Sequence, residues 1–173
     1  MIPLIETLNF YLALGGIVSF LLALILLVDQ KRDQALRGIV RSYGLLIALI
    51  ISGIGTVSAL IYSEVFLFEP CSLCWLARIC LFAQVPLLLT ALYVRDTLYP
   101  RYGLTLSLIG IVITLYHHYL QMGGSALVRC PTGGGDCAQR FLFEFGFMTF
   151  PLLATAGFVL LSALYFYILK TRS

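Results

Sequence analysis

Cysteines are the residues with the clearest potential for chemistry in this chain, and the first pair of them is Cys71-Ser72-Leu73-Cys74, preceded by Pro70. Proline is well suited to the first turn of a helix. A thiolate is stabilised at a helix N-terminus and in Cys-x-x-Cys spacing, whereas a structural disulfide across so short a loop removes little chain entropy. We therefore predict a redox-active pair at the start of a helix, with an inert disulfide or half of a metal site as alternatives.

The second pair, Cys130 and Cys137, lies in a glycine-rich segment, residues 129–137. Glycines keep a loop mobile, so this pair is expected to reach both a soluble partner and Cys71, as sequential thiol-disulfide exchange requires. The alternatives are a surface disulfide and a joint zinc site of four cysteines, although the wide second spacing differs from the usual zinc-binding spacing. The fifth cysteine, Cys80, is predicted to be a small buried apolar residue.

The rest of the chain predicts how these cysteines are positioned. Of its 173 residues, 61% are hydrophobic and 11% are charged, whereas about half of the residues of a soluble domain are apolar. A bilayer is crossed by about 20 helical residues, and a fifth apolar run, 79–94, is long enough only if its helix begins at Cys71 and includes Arg78. Four runs without charged residues are long enough by themselves: 7–28, 42–63, 102–128 and 145–169. The chain is therefore predicted to be an all-α integral membrane protein, a bundle of five transmembrane helices.

The charge distribution predicts the orientation of this bundle. Lys and Arg concentrate on the cytoplasmic side of membrane proteins, and 8 of the 11 lie in segments 29–41, 95–101 and 170–173. That face carries a net charge of +5 and the opposite face −2. We expect the N-terminus and both cysteine pairs outside, where disulfides persist, and the C-terminus in the cytoplasm. The positive charge then reports topology, and no nucleic-acid partner is expected. The first span is expected to be retained, because no Lys or Arg precedes it as in a signal sequence.

Polar residues inside the spans are further candidates. Arg78 lies four residues after Cys74, on the same helix face and about 10 Å below the helix start. A cation inside a span is a functional candidate by default; the alternative is an anchor whose charge reaches the headgroups. His117 and His118 lie near the same depth on the fourth span, and one of them can face the bundle while the other faces elsewhere. For that inward residue, a role in the site and a hydrogen bond in the core are both open.

Together these motifs resemble the DsbB disulfide bond formation proteins, including the shorter Gram-positive BdbC type. The resemblance covers roughly residues 43–169 and rests on three segments: Pro70-Cys71-Ser72-Leu73-Cys74 with Arg78, Tyr116-His117 with Leu120-Gln121, and Gly135-Asp136-Cys137-Ala138-Gln139-Arg140. It implies a four-helix catalytic bundle over 43–169. Residues 1–42 then form an extra N-terminal transmembrane helix and a cytoplasmic loop, and residues 170–173 form a cytoplasmic tail. The extra helix departs from the four spans of familiar members.

The resemblance also implies roles for the residues of a quinone site. Cys71 and Cys74 would form the pair next to a membrane quinone, either ubiquinone or menaquinone, with Cys74 as the thiolate that faces it. Arg78 would match the arginine of the family's quinone site. His117 fits the family's histidine better than His118 does, because it lies four residues before Gln121.

On the partner side, the resemblance implies that Cys130 is attacked by a reduced DsbA-like thioredoxin-fold thiol oxidase and that Cys137 exchanges with Cys71. The implied function is that of an enzyme, a protein dithiol:quinone oxidoreductase of the bacterial cytoplasmic membrane. Six residues separate Cys130 from Cys137, fewer than in enterobacterial members and closer to the Gram-positive ones. The mode of partner docking is therefore not fixed by the resemblance.

Two other functions are open from the sequence. A vitamin K epoxide reductase-like protein also uses four cysteines and a quinone, but in that family the loop pair precedes the Cys-x-x-Cys motif, whereas here it follows. The other is a non-catalytic membrane protein with structural disulfides or metal-binding loops. Redox titration separates these functions, because structural disulfides resist reduction by a thiol partner and a metal site releases its metal to a chelator.

Overall fold

The computed structural model describes residues 2–28, 34–125 and 136–172. A helix satisfies every backbone polar group within its own segment, which is why long apolar stretches fold as helices in a membrane. The elements in chain order are α1 (Ile2–Val28), α2 (Gln34–Leu60), a π-helical turn (Ile61–Val65), α3 (Ser72–Phe82), α4 (Gln84–Val94), α5 (Tyr99–Gln121), the short strands β1 (Phe143–Glu144) and β2 (Met148–Thr149), and α6 (Phe150–Arg172).

Within these ranges, five helical stretches are long and apolar enough to cross a membrane: Ile5–Val28, Arg37–Val65, Ser72–Val94, Tyr99–Gln121 and Phe150–Thr171. The π-helical turn extends the second stretch, and α3 and α4 together make up the third. The predicted fold class, an all-α integral membrane bundle with five spans, is therefore confirmed.

The third span is interrupted near its middle. Pro86 has no backbone N–H, and a proline ring clashes with the carbonyl four residues earlier, here that of Phe82. α3 accordingly ends at Phe82, and α4 begins at Gln84. The sequence predicted one helix beginning at Cys71, whereas α3 begins at Ser72 and Cys71 is its N-cap. Hydrophobic length identified the span, but it did not reveal the break.

α6 lies at the centre of the packing, against α1, α2 and α5. Small residues allow transmembrane helices to approach closely, and Gly110 of α5 shows the effect, because a Cβ there would lie 2.6 Å from the ring of Phe158. Several large side chains of α6 are fully or almost fully buried: Phe158, Leu161, Leu164, Tyr165, Tyr167 and Ile168. The core of the bundle therefore follows this last helix.

A buried polar cluster crosses the middle of the bundle, and we call it the mid-bundle cluster (Gln84, Ser107 and Tyr165). The Gln84 amide donates to the Ser107 hydroxyl at 3.2 Å and to the Cys80 carbonyl at 3.3 Å. The Tyr165 hydroxyl donates to Gln84 Oε1 at 2.8 Å. The side chain of Cys80 is buried, as predicted. The cluster thus links α3, α4, α5 and α6 through bonds that its own members satisfy.

The segment before α6 forms a small antiparallel hairpin, β1 with β2. Its turn contains Gly146, whose φ of 76° suits glycine. Met148 and Thr149 are buried, while three phenylalanines of the hairpin are exposed: Phe143, Phe145 and Phe147. Exposed aromatic rings beside a span are typical of the membrane interface.

Candidate active site

The first cysteine pair is arranged by the start of α3. Cys71 has an extended backbone conformation, and its Sγ accepts a hydrogen bond from the Cys74 backbone N–H at 3.4 Å. This is the geometry of an N-cap, in which a side chain satisfies an amide that the first helical turn leaves without a partner. The same geometry brings the Sγ atoms of Cys71 and Cys74 to 3.1 Å, both as free thiols. The pair therefore lies at the start of the third span, as predicted.

The surroundings of Cys71 favour its thiolate. The hydrogen bond from the Cys74 thiol, assisted by His117, lowers the pKa of Cys71 from 9.0 to about 4, although burial acts in the opposite direction. The side chain is 3% exposed, so this charge depends on its neighbours rather than on water. In the reduced pair the negative charge thus lies on Cys71. The role of Cys74 as the thiolate that faces a quinone stays a prediction.

His117 connects the two cysteine segments. It is buried, and its Nε2 lies 3.6 Å from Cys71 Sγ and 3.1 Å from the backbone carbonyl of Cys137. His118 points elsewhere, with its Nδ1 2.8 Å from the hydroxyl of Thr149. Of the two histidines, His117 is therefore the one in the site, which is the residue that the resemblance favours.

Cys137 lies directly against the first pair. It is disulfide-bonded, is buried in one cluster with Cys71 and Leu120, and has its Sγ 3.9 Å from the Ser72 hydroxyl. A thiolate and a disulfide sulfur in one cluster are the two reactants of thiol-disulfide exchange. Cys130, predicted to belong to the second pair, lies outside the described residues.

Gln121 holds the segment that carries Cys137. Its amide donates to the Gln139 carbonyl at 2.8 Å, and the Asp136 carboxylate accepts from the Ala138 N–H at 3.0 Å. These contacts give Gln121 a structural role. Its Oε1 atom, however, is buried without a hydrogen-bond partner in the described part of the chain, and Gln121 borders a cavity inside the bundle.

A cavity of about 410 Å³ extends from the cysteines into the bundle. Its polar end is formed by a few residues: Cys71, Cys74, Arg78, His117 and Gln121. Most of the other lining residues are apolar or small residues of α1, α2, α3, α5 and α6, and Glu69, Asp136 and Gln139 also border the cavity. Both the volume and the apolar walls with few polar groups are typical of small-molecule sites. The arrangement therefore combines a dithiol with space for an apolar ligand.

Arg78 borders this cavity and also binds to the second span. Its guanidinium donates to the Ala59 carbonyl at 2.9 Å and lies 5.5 Å from the centre of the Trp75 ring. Cys74 lies one helical turn before it, on the same wall. The side chain thus places a positive charge between α2 and α3, next to the cavity.

Sequence reasoning missed the contribution of α1, whose wall residues are Tyr11, Leu12, Gly15 and Ser19. The first span gave one signal, Asn9, which is the one amide side chain in a mostly apolar stretch. Such a residue usually faces protein rather than lipid. Asn9 is indeed buried.

The site also offers metal ligands. One atom each of Cys71, Cys74 and His117 lie within 4.8 Å of one another. Structural zinc sites use four such ligands, and three are present in the described ranges. The same three groups, a thiolate, a thiol and an imidazole, also suit a redox-active dithiol with a proton carrier.

The family model "Disulfide bond formation protein DsbB" matches residues 40–168. The "SPbeta prophage-derived disulfide bond formation protein B" of Bacillus subtilis is 38% identical over 70% of this chain and 82% of its own length. The "Probable disulfide formation protein C" of Bacillus cereus is 35% identical over 76% and 96% of the two chains. A "Probable disulfide formation protein" of Chlamydia trachomatis is 39% identical over 77% and 96%. No solved structure gives a significant match.

Proposed function

Because the chain belongs to the DsbB family of disulfide bond formation proteins, we propose that it is a membrane protein dithiol:quinone oxidoreductase. It reoxidises a DsbA-like thioredoxin-fold protein and passes the electrons to a membrane quinone. The observation that carries the proposal is the cluster of the Cys71 thiolate, Cys74, His117 and disulfide-bonded Cys137 at one end of an apolar cavity.

The first proposed step takes electrons from the partner. A partner thiolate attacks Cys130 of a Cys130–Cys137 disulfide, and the electron pair of the broken bond goes to Cys137. The second partner thiol, on losing its proton, then attacks the partner sulfur bound to Cys130 and releases Cys130 as a thiolate. The partner has gained its disulfide, and the second pair has gained two electrons.

The second proposed step joins the two pairs. The Cys137 thiolate attacks Cys71 of a Cys71–Cys74 disulfide, and the electron pair goes to Cys74. Cys130 then attacks Cys137 and releases Cys71. A thiol of low pKa leaves faster in such an exchange, and the lowered pKa of Cys71 supports this role. Free Cys71 and Cys74 beside a disulfide-bonded Cys137 correspond to the products of this step.

The cavity residues fit a quinone, either ubiquinone or menaquinone. When bound, a quinone accepts two electrons and two protons. Cys74 supplies the sulfur at the cavity wall, and Arg78 stabilises negative charge there. His117 holds a proton at Nε2, next to Cys71. Gln121 Oε1, an acceptor without a partner among the described residues, fits a hydroxyl of the reduced ring.

We propose the orientation from the charges of the two ends. Arg95, Arg101 and Lys170 lie at the end of the bundle opposite the cysteines, and basic residues mark the cytoplasmic side. The cysteine site then lies outside the bacterial cytoplasmic membrane, where disulfides persist and where a soluble partner reaches it.

The test uses the purified full chain with a reduced thioredoxin-fold partner and a short-chain quinone, followed by quinone absorbance. Cys74→Ser and Cys130→Ser should each abolish quinone reduction. Cys80→Ser is the matched control, because its thiol is buried in the third span and does not border the cavity. Normal turnover by either of the first two variants contradicts the proposed relay.

A metal site is the second candidate, because three ligand atoms cluster in the described site. It predicts stoichiometric metal in the purified protein and loss of the site's function on chelation. The proposed oxidoreductase predicts quinone reduction that a chelator leaves unchanged. Metal analysis and the same quinone assay with and without chelator separate the two.

A further inference from the structure

The N-terminal helix α1 lies outside the residues that match the family, 40–168, and yet it contacts the redox site. It packs against α6, with Ala13 and Ala23 buried in the contact. Its one amide side chain, Asn9, is 7% exposed. A polar side chain inside a membrane bundle is costly unless it is bonded, so its partners indicate what it does.

Both ends of the Asn9 amide are used. The Tyr62 hydroxyl donates to Asn9 Oδ1 at 2.5 Å, and Asn9 Nδ2 donates to the Phe141 carbonyl at 3.5 Å. Tyr62 lies in the π-helical turn at the end of the second span, and Phe141 follows Cys137 by four residues. Asn9 therefore ties the segment after Cys137 to the end of the second span.

Tyr62 and Phe141 belong to a cluster of rings that we call the aromatic roof (Tyr62, Phe66, Phe68, Phe141 and Phe150). Phe68 stacks on Phe141 with centroids 4.6 Å apart, and Tyr62 meets Phe150 edge to face at 4.6 Å. Phe68 precedes Cys71 by three residues. The roof thus joins the segment that enters Cys71 to the segment that leaves Cys137.

The backbone that carries the first rings of the aromatic roof has two uncommon conformations. Tyr62 lies in the π-helical turn Ile61–Val65, a conformation frequent at functional sites. Leu67 has a φ of 55°, which is unfavourable for a branched side chain. Such conformations persist only where surrounding contacts hold them. Asn9 supplies one of these contacts through Tyr62.

We propose that Asn9 is a positioning residue for exchange between the two cysteine pairs. It fixes the segments before Cys71 and after Cys137 relative to each other, and so sets the rate at which the Cys137 thiolate attacks Cys71 while the electron pair passes to Cys74. It touches neither sulfur. The inference rests on the proposed function.

The test replaces Asn9 by Leu, which keeps a similar volume and removes both hydrogen bonds, and Tyr62 by Phe, which removes the hydroxyl alone. Partner-driven quinone reduction should fall roughly tenfold in kcat for Asn9→Leu, because small misplacements are costly in a preorganised step. Tyr62→Phe should fall less, and the double variant should not add the two losses. Leu24→Ala, a lipid-exposed change on the same helix, is the control.

A second assay separates positioning from general damage. In a Cys130→Ser/Cys137→Ser background, a small dithiol reduces the Cys71–Cys74 disulfide directly, so quinone reduction no longer needs exchange between the pairs. Asn9→Leu should have no effect in this assay. Equal slowing in both assays, or normal kcat with the partner, overturns the inference while the proposed function stands. If protein with Asn9 intact reduces no quinone in either assay, the proposed function fails and the inference fails with it.

Discussion

Two regions of this bundle bury polar side chains, and their partners differ. In the mid-bundle cluster, Gln84, Ser107 and Tyr165 bond to one another, and none of them borders the cavity. At the cysteine end, a thiolate and an amide oxygen without a partner among the described residues face an apolar cavity. Buried polarity by itself therefore does not mark function in a membrane bundle. The polar groups of the proposed site differ from those of the mid-bundle cluster in that they border a cavity.

The largest expected difference between the regions is in turnover. In the proposed relay, Cys71→Ala removes the sulfur that Cys137 attacks and that is later released as a thiolate, so quinone reduction should fall by about a thousandfold or more, as for loss of a residue that forms a covalent intermediate. Cys80→Ala, a matched buried thiol next to the mid-bundle cluster, should turn over within about twofold of the unchanged protein. Similar losses in both variants, measured by quinone absorbance, contradict the comparison.

The pH dependence of alkylation tests the charge on Cys71. With its pKa lowered to about 4, the reduced protein should be alkylated at Cys71 at a constant rate from pH 8 to about 5, and the rate should fall only as the pH drops through about 4. An ordinary thiol loses reactivity as the pH drops through about 9. Mass spectrometry of iodoacetamide-treated protein measures the rate. Cys74→Ala removes the donating thiol and should move the midpoint upward.

The same shift makes the stability of the reduced protein depend on pH. A pKa that is lower in the folded state contributes stability fully above the unfolded value of 9.0, and the contribution disappears as the pH falls to about 4. In the alkylation experiment, a midpoint near pH 9 contradicts the prediction that Cys71 is a thiolate.

The cavity wall gives a smaller effect, in KM. A Cβ added at Gly15 meets nothing within 4 Å and points into open space beside the cavity. Gly15→Leu should fill part of that space and raise the KM for quinone at least roughly tenfold, since even one extra methylene in an apolar pocket has about this effect. Gly53→Leu is the control, because its Cβ also meets nothing within 4 Å but Gly53 does not border the cavity. Equal KM values for both variants show that the cavity does not bind the quinone.

The smallest effect on turnover is expected in the mid-bundle cluster. Gln84→Leu leaves the Tyr165 and Ser107 hydroxyls without their amide partner, so it should lower the free energy of unfolding by about 1 to 2 kcal/mol. Turnover of the folded variant should stay within about twofold. Thermal unfolding and quinone reduction on the same sample measure both. A large loss of turnover without a loss of stability means that the two regions are coupled.

Much of this molecule is readable from the sequence because the relevant forces are local. Hydrophobic length sets the five spans, and the N-cap of α3 follows from Pro70 and the position of Cys71. Pro86 also predicts the break in the third span, although hydrophobic length alone concealed it. The roles of Cys130 and Cys137 are predictions from family likeness, and Cys130 lies outside the described residues.

Other features depend on contacts between residues far apart in the chain. Adjacent histidines on a helix differ by a rotation of 100°, and only the packing of α5 selects His117 over His118. The lowered pKa of Cys71 depends on Cys74 and His117, which the fold brings to its sulfur. Asn9 lies 53 residues from Tyr62 and 132 from Phe141, and no local pattern connects them. The sequence by itself determined which segments cross the membrane and which residues can do chemistry. Tertiary structure decided which of them meet, because hydrogen bonds and pKa values depend on neighbours in space.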